Sequence, residues 1–198
     1  YTINHILFIR IILKYIRRVL TFRTRLENLT YSIKNYINFL KFKNKKNVFI
    51  FKKRVVDQIK ENFDISLNSI FDKIKSKKNL LKLDIEGSEY SIIKEIKQNS
   101  SKIKILIIEF HFIRNKEELF INSVKELLKN FDIIHIHANN YFELKKDESF
   151  FEVLEITFVN KEINKFKDEF QYEFPLKDID FECFPDRKNI KFSFKKKG

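Results

Sequence analysis

Apolar positions along the chain change their period near residue 64. Ahead of that point, residues 3–20 interleave Ile, Leu and Phe with Arg10, Lys14, Arg17 and Arg18. These bases recur at helical spacing and can share one face. The pattern predicts a helix there and a second basic helical stretch continuing to Lys43, then a turn over Asn44-Lys45-Lys46-Asn47 and a short strand over residues 48–51. A membrane-spanning helix needs roughly 20 predominantly apolar residues, and Arg10 and Lys14 interrupt this one. A secretory signal would need a charge-free apolar centre and small residues near a cleavage site, and residues 3–20 have neither. Two fates remain for such a helix: packing on the domain or a partner, or lying on an anionic lipid interface.

From residue 64 onward, helices and apolar strands alternate. Residues 66–75 read as a short helix with Ser66 or Asp64 as its cap. Residues 80–84 form an apolar strand, and residues 88–98 a helix with Ile92, Ile93 and Ile96 on one face. The nearly continuous apolar run 103–110 is that of a strand covered on both faces. Residues 116–129 predict an amphipathic helix with Leu119, Phe120, Val124, Leu127 and Leu128 inward. Two more strands follow at 131–137 and 153–159, and the tail from Asp178, with Pro185-Asp186 as a turn, reads as a terminal strand or extended segment. Strands and helices of these lengths imply an α/β sheet with right-handed crossovers. The chain thus divides into a basic helical segment, 1–63, and an α/β domain, 64–198.

Charge sharpens this division. Residues 1–60 hold 15 Lys or Arg against Glu27 and Asp57, which accounts for the whole net charge of +13, and the remainder is balanced. The 198 residues suffice for one sizeable core. The abundance of Lys, Asn, Ile and Phe is the usage of an A+T-rich genome, so a lysine run carries little weight alone. Tyr1 in place of Met leads us to expect a fragment or a processed chain. The single Cys183 excludes an internal disulfide and a cysteine-based zinc site, and is expected as a buried or semi-buried thiol in a reducing compartment.

Candidate chemistry gathers at strand ends, beyond which open α/β sheets bind ligands. Three successive strands end in Asp84-Ile85-Glu86-Gly87-Ser88-Glu89, Glu109-Phe110-His111 and His135-Ile136-His137-Ala138-Asn139-Asn140, so three of the four histidines lie at these tips. Gly87 permits a tight strand-to-helix turn. Glu86 and Glu89 suit a helix N-terminus, where the dipole favours negative charge, so a capping role competes with a functional one for Glu89. Glu109 and His111 share a face by alternation, as do His135 and His137. A histidine there can take a hydroxyl proton. It can equally be a structural group bonded to Asn139, or join Asp84 and Glu109 around a metal. We take His111, His137, Glu109 and Asp84 as the catalytic candidates, with Glu86, Gly87, Glu89, His135, Asn139 and Asn140 as further site residues, and assign no metal.

The run Leu81-Lys82-Leu83-Asp84-Ile85-Glu86-Gly87-Ser88-Glu89 resembles the signature of FkbM-type methyltransferases. Ile107-Ile108-Glu109-Phe110-His111 is similar to the strand that follows it in that family. His135-Ile136-His137-Ala138-Asn139-Asn140-Tyr141 and Val153-Leu154-Glu155-Ile156-Thr157-Phe158 resemble the closing strands of one of its subgroups. The resemblance covers about residues 64–160, extending toward Phe194. It implies a Rossmann-like methyltransferase fold, S-adenosylmethionine as cofactor, and O-methylation of a sugar, polysaccharide or natural-product hydroxyl. Family members hold the cofactor on a glycine-rich loop that precedes the signature, and Asn68 stands where the family often has Asp. No glycine precedes Gly87 here, so the expectation is the C-terminal half of the fold, with cofactor-binding residues unassigned. The alternatives are a truncated or degenerate non-catalytic relative, or a basic module for membrane or nucleic acid. The absence of displayed aromatics and of a recognised motif speaks against nucleic acid. Expected partners are a small-molecule or glycan acceptor, an anionic membrane surface through residues 1–60, and a second copy of the chain. The expected location is cytoplasmic, peripheral at the inner membrane face.

Overall fold

A computed structural model describes residues 26–142, 151–165, 173–184 and 186–194. The helix expected over 3–20 lies outside the described residues. The chain divides into two compact units, 1–53 and 54–198.

In the first unit, helix α1 (Leu26–Lys43) bears out the second basic helix. Lys41 and Lys43 occupy its last turn, where positive charge suits the helix dipole. A turn at residues 44–47 follows as expected, but residues 48–51 form no strand. Phe49, Ile50 and Phe51 are apolar yet all stand exposed, so the segment buries no face that would hold it in a sheet. Among the described residues no helix is long and apolar enough to cross a membrane.

The second unit opens with β1 (Arg54–Val55) and β2 (Asp64–Ile65), a two-residue parallel pair. Buried Asp64 closes the loop between them: it accepts from the Lys60 and Glu61 amides at 3.0 Å each and pairs with Arg54 at 2.9 Å. Helix α2 (Leu67–Lys73) starts at Ser66, whose hydroxyl accepts from the Ser69 amide. The main sheet comprises β3 (Asn79–Leu83), β4 (Ile103–Phe110), β5 (Phe131–Ala138) and β6 (Leu154–Asn160), in the order β3-β4-β6-β5. Strand β3 runs parallel to β4, while β6 runs antiparallel to both β4 and β5. It follows that β3, β4 and β5 all point the same way, and their three carboxyl ends share one edge.

Between β3 and β4 the expected helix is split. Glu89–Ile92 form a 3-10 turn, and α3 (Ile93–Gln98) continues it. Helix α4 (Glu117–Leu127) joins β4 to β5. Leu106, Ile108, Phe110, Ile156 and Phe158 project from one sheet face into a core shared with Leu67, Phe71, Ile92, Ile96, Phe120 and Leu127. Leu119 and Leu128, expected inward, are exposed, because the inward stripe of α4 is the narrower one of Phe120, Ser123 and Leu127. Removing a buried aromatic from such a layer typically costs about 3–5 kcal/mol.

The opposite face carries the alternate positions Glu109, Glu155, His135 and His137. The C-terminal tail lies against part of it through a short pairing of β7 (Glu173–Phe174) with β8 (Phe192–Ser193). Phe174 stacks on Phe192 and touches the His135 ring. Buried Asn140 fastens this tail: its amide donates to the carbonyls of Phe184 and Arg187, and its oxygen accepts from the Phe184 amide at 2.8 Å. Cys183 sits in this irregular segment and is exposed, which corrects the expectation of a buried or semi-buried thiol. Asn140→Ala removes all three bonds, so hydrogen exchange should show tail amides near Phe184 losing protection while those of β4 keep theirs. Unchanged protection at Phe184 would contradict the clamp.

Candidate functional site

The turn after β3 is shaped by two successive residues in left-handed conformation, Glu86 (φ 54°) and Gly87 (φ 98°). A side chain at position 87 would be strained by that φ and would also meet the Phe112 ring at 2.7 Å. The turn brings Glu89 back beneath itself. Glu89 is fully buried, and its Oε1 accepts from the amides of Ile85 at 3.2 Å and Gly87 at 3.1 Å. The same oxygen lies 2.9 Å from Nδ1 of His111, at the tip of the neighbouring strand. Tyr90 adds a second tie, its hydroxyl donating to the His111 carbonyl at 2.7 Å. A buried acid and a phenol therefore stitch the turn to β4.

With Nδ1 engaged, Nε2 of His111 points to the exposed carboxylates, 3.8 Å from Asp84 and 3.7 Å from Glu86. Glu109 lies on β4 and accepts from the Asn139 amide at 2.8 Å, so Asn139 bonds the acid rather than a histidine. In register, Glu109 faces Glu155, and Glu155 faces His137. Lys82 pairs with Glu155 at 2.7 Å. Asp84, Glu86, Gly87, Glu89, Glu109, His111 and Asn139 thus gather at one edge. His137 stands two strands away, its Nε2 buried without a partner among the described residues. His135 is held elsewhere, its Nε2 2.8 Å from buried Asp180, and Asn140 holds the tail.

Residues 26–175 match the family model for the methyltransferase FkbM domain. The chain belongs to the FkbM methyltransferase family. No curated protein and no solved structure matched it in the same comparisons. The match takes in the signature turn, all four main strands and α1. Sequence reasoning passed over Lys82, Tyr90 and Glu155 within this FkbM domain, and Asp180 just beyond the matched residues. Lys82 and Glu155 were visible as polar members of alternating strands. Asp180 was not, because only the tail's path brings it to His135.

The electrostatics of the edge follow from these contacts. Burial alone would push the Glu89 carboxyl up, but His111 and the Gly87 amide hold it below the usual range. The bond to Glu89 holds His111 above the ordinary imidazole value against the effect of burial, with Glu109 and Glu86 adding to it. Burial pushes Glu109 up; the Asn139 bond draws it back, and the Asp84 charge raises it further. Glu109 is therefore the carboxylate of the edge displaced toward neutrality, which is what a proton acceptor needs.

Linkage fixes the pH dependence of the Glu89–His111 pair. The Glu89 contribution is present above the ordinary carboxylate value of 4.5 and is lost as pH falls through its lowered folded value. That of His111 is complete below 6.5 and is lost as pH rises through its raised folded value. In metal-free buffer, melts of Glu89→Gln should lose about 1–3 kcal/mol between those values. The variant should also lose both flanks of the profile that the pair creates. A Glu89→Gln profile that parallels the wild type at every pH would contradict the pair.

Proposed function

We propose that the chain is the acceptor-side part of an S-adenosylmethionine-dependent O-methyltransferase acting on a hydroxyl of a sugar, polysaccharide or natural product. The observation that carries the reading is the convergence of Asp84, Glu86, Glu109 and His111 at the shared carboxyl edge of parallel strands, in a domain of this family. Beside it, a groove of about 460 Å³ runs along β3 and ends at Asp84 and Ile85, lined by Val55, Leu67, Phe71, Leu81 and Leu83 among others. The outer edge of β3 has no strand partner among the described residues. In this reading the methyl donor approaches from that side, and the sheet is the second half of a Rossmann-like fold.

The described residues ahead of β3 carry no glycine-rich cofactor loop, so in this reading the groove along β3 holds the donor instead. Backbone must come close to such a cofactor, which calls for glycine, and no glycine precedes Gly87. The described backbone ahead of β3 offers only α1, α2 and the two-residue β1 and β2. The donor would supply an electrophilic methyl group. This chain's own contribution is to seat the hydroxyl and remove its proton. Glu109 Oε2 takes that proton, with Asn139 fixing Oε1. Fixed orientation accounts for most of what such a site must provide.

The missing glycine favours a second reading, a non-catalytic relative that retains the edge. Calorimetry of the full chain with S-adenosylmethionine separates the two. The proposal expects saturable binding, and methyl transfer to a hydroxyl acceptor reduced about 10²–10⁴-fold by Glu109→Gln. No binding heat, or transfer indifferent to Glu109→Gln, would overturn it. The basic residues 1–60 are proposed to meet an anionic membrane surface, which vesicle flotation of the full chain would test.

A further inference from the structure

Asp84, Glu86 and His111 each present one donor atom, and the three atoms lie within 4.8 Å of one another. Two donors on one ion, each about 2.1 Å from it, stand no more than about 4.2 Å apart. The His111 separations of 3.8 and 3.7 Å from Asp84 and Glu86 meet that limit. The histidine is 9% exposed, and no hydrogen bond from the described residues reaches its Nε2. Its ring cannot turn freely, because Nδ1 is engaged by Glu89, which is 0% exposed. A buried carboxylate that fixes the far nitrogen of an imidazole is the arrangement that orients histidine ligands in metalloproteins.

Charge points the same way. Asp84 and Glu86 converge although no Lys or Arg among the described residues lies within ion-pair distance of either. The nearby lysines are engaged elsewhere: Lys82 with Glu155, and Lys116 with the Gly87 carbonyl and over the Tyr90 and Phe112 rings. An imidazolium neutralises one of the two carboxylates at most. A divalent cation neutralises both.

We infer that Asp84, Glu86 and His111 form a divalent transition-metal site. One imidazole nitrogen with two carboxylate oxygens suits Mn²⁺ or Zn²⁺ better than Mg²⁺ or Ca²⁺, which take oxygen ligands alone. Three protein ligands leave coordination positions open on the solvent side, where Asp84 and Glu86 are exposed. Those positions accept oxygen ligands. Their use for the acceptor hydroxyl, whose acidity a metal raises, rests on the methyl-transfer reading, whereas the site itself does not.

The test is Mn²⁺ titration of the full chain, followed by electron paramagnetic resonance of free Mn²⁺, with Zn²⁺ as competitor. One Mn²⁺ per chain is expected, displaced by Zn²⁺. Glu89→Gln, which touches no ligand atom, should weaken binding about 10–100-fold. Asp84→Asn and Glu86→Gln, both exposed and structurally mild, should each weaken it at least as much. Absence of saturable Mn²⁺ binding, or equal affinity in the wild type and the two carboxylate variants, would overturn the inference. A failed cofactor titration would leave this result untouched, so the two proposals fail separately.

Discussion

The candidate edge depends on one contact, the buried Glu89 carboxylate against Nδ1 of His111. A charged acid out of water is tolerated only where donors surround it, and here one oxygen gathers two amides and an imidazole. The contact sets three things at once. It holds a turn with two successive left-handed residues, it joins the tips of two parallel strands, and it turns Nε2 of His111 outward toward Asp84 and Glu86. The left-handed conformation of Glu86, rare for a residue with a Cβ, persists because the surrounding bonds determine it.

Around that contact the sheet assigns separate tasks to its two faces. Apolar side chains of β4 and β6 fill one face and anchor the helices, leaving the alternate positions to Glu109, Glu155 and the β5 histidines. The tail then claims part of the polar face: His135 goes to Asp180 and Asn140 to the Phe184 backbone, while Glu109 and Asn139 remain paired at the shared edge. The groove beside β3 opens onto the same edge at Asp84, so groove and acidic edge meet at the signature turn.

Much of this was legible in the sequence because it rests on period and local turn chemistry. The run 103–110 gave β4 to the residue, Ser66 marked the start of α2, and the signature placed Asp84 and Gly87 at a strand end. What escaped depends on contacts distant in sequence. Alternation could not say that Asn139 would bond Glu109, nor that Glu89 would reach past its own turn to His111 rather than cap a helix. Nor could it show Asp180 meeting His135, since 45 residues and a crossing tail separate them. Apolar content misled at residues 48–51 and at Leu119, where side chains of the right type have no face to cover.

The measurement that reaches the centre of this account is a nitrogen–proton correlation spectrum of the histidine rings in chelator-treated protein. With Glu89 ionised, Nδ1 of His111 must carry the proton and donate it into a buried bond. A slowly exchanging, downfield Nδ1 proton is expected for His111, and it should disappear in Glu89→Gln. A His111 ring that exchanges its Nδ1 proton with bulk water as freely in the wild type as in the variant would contradict it.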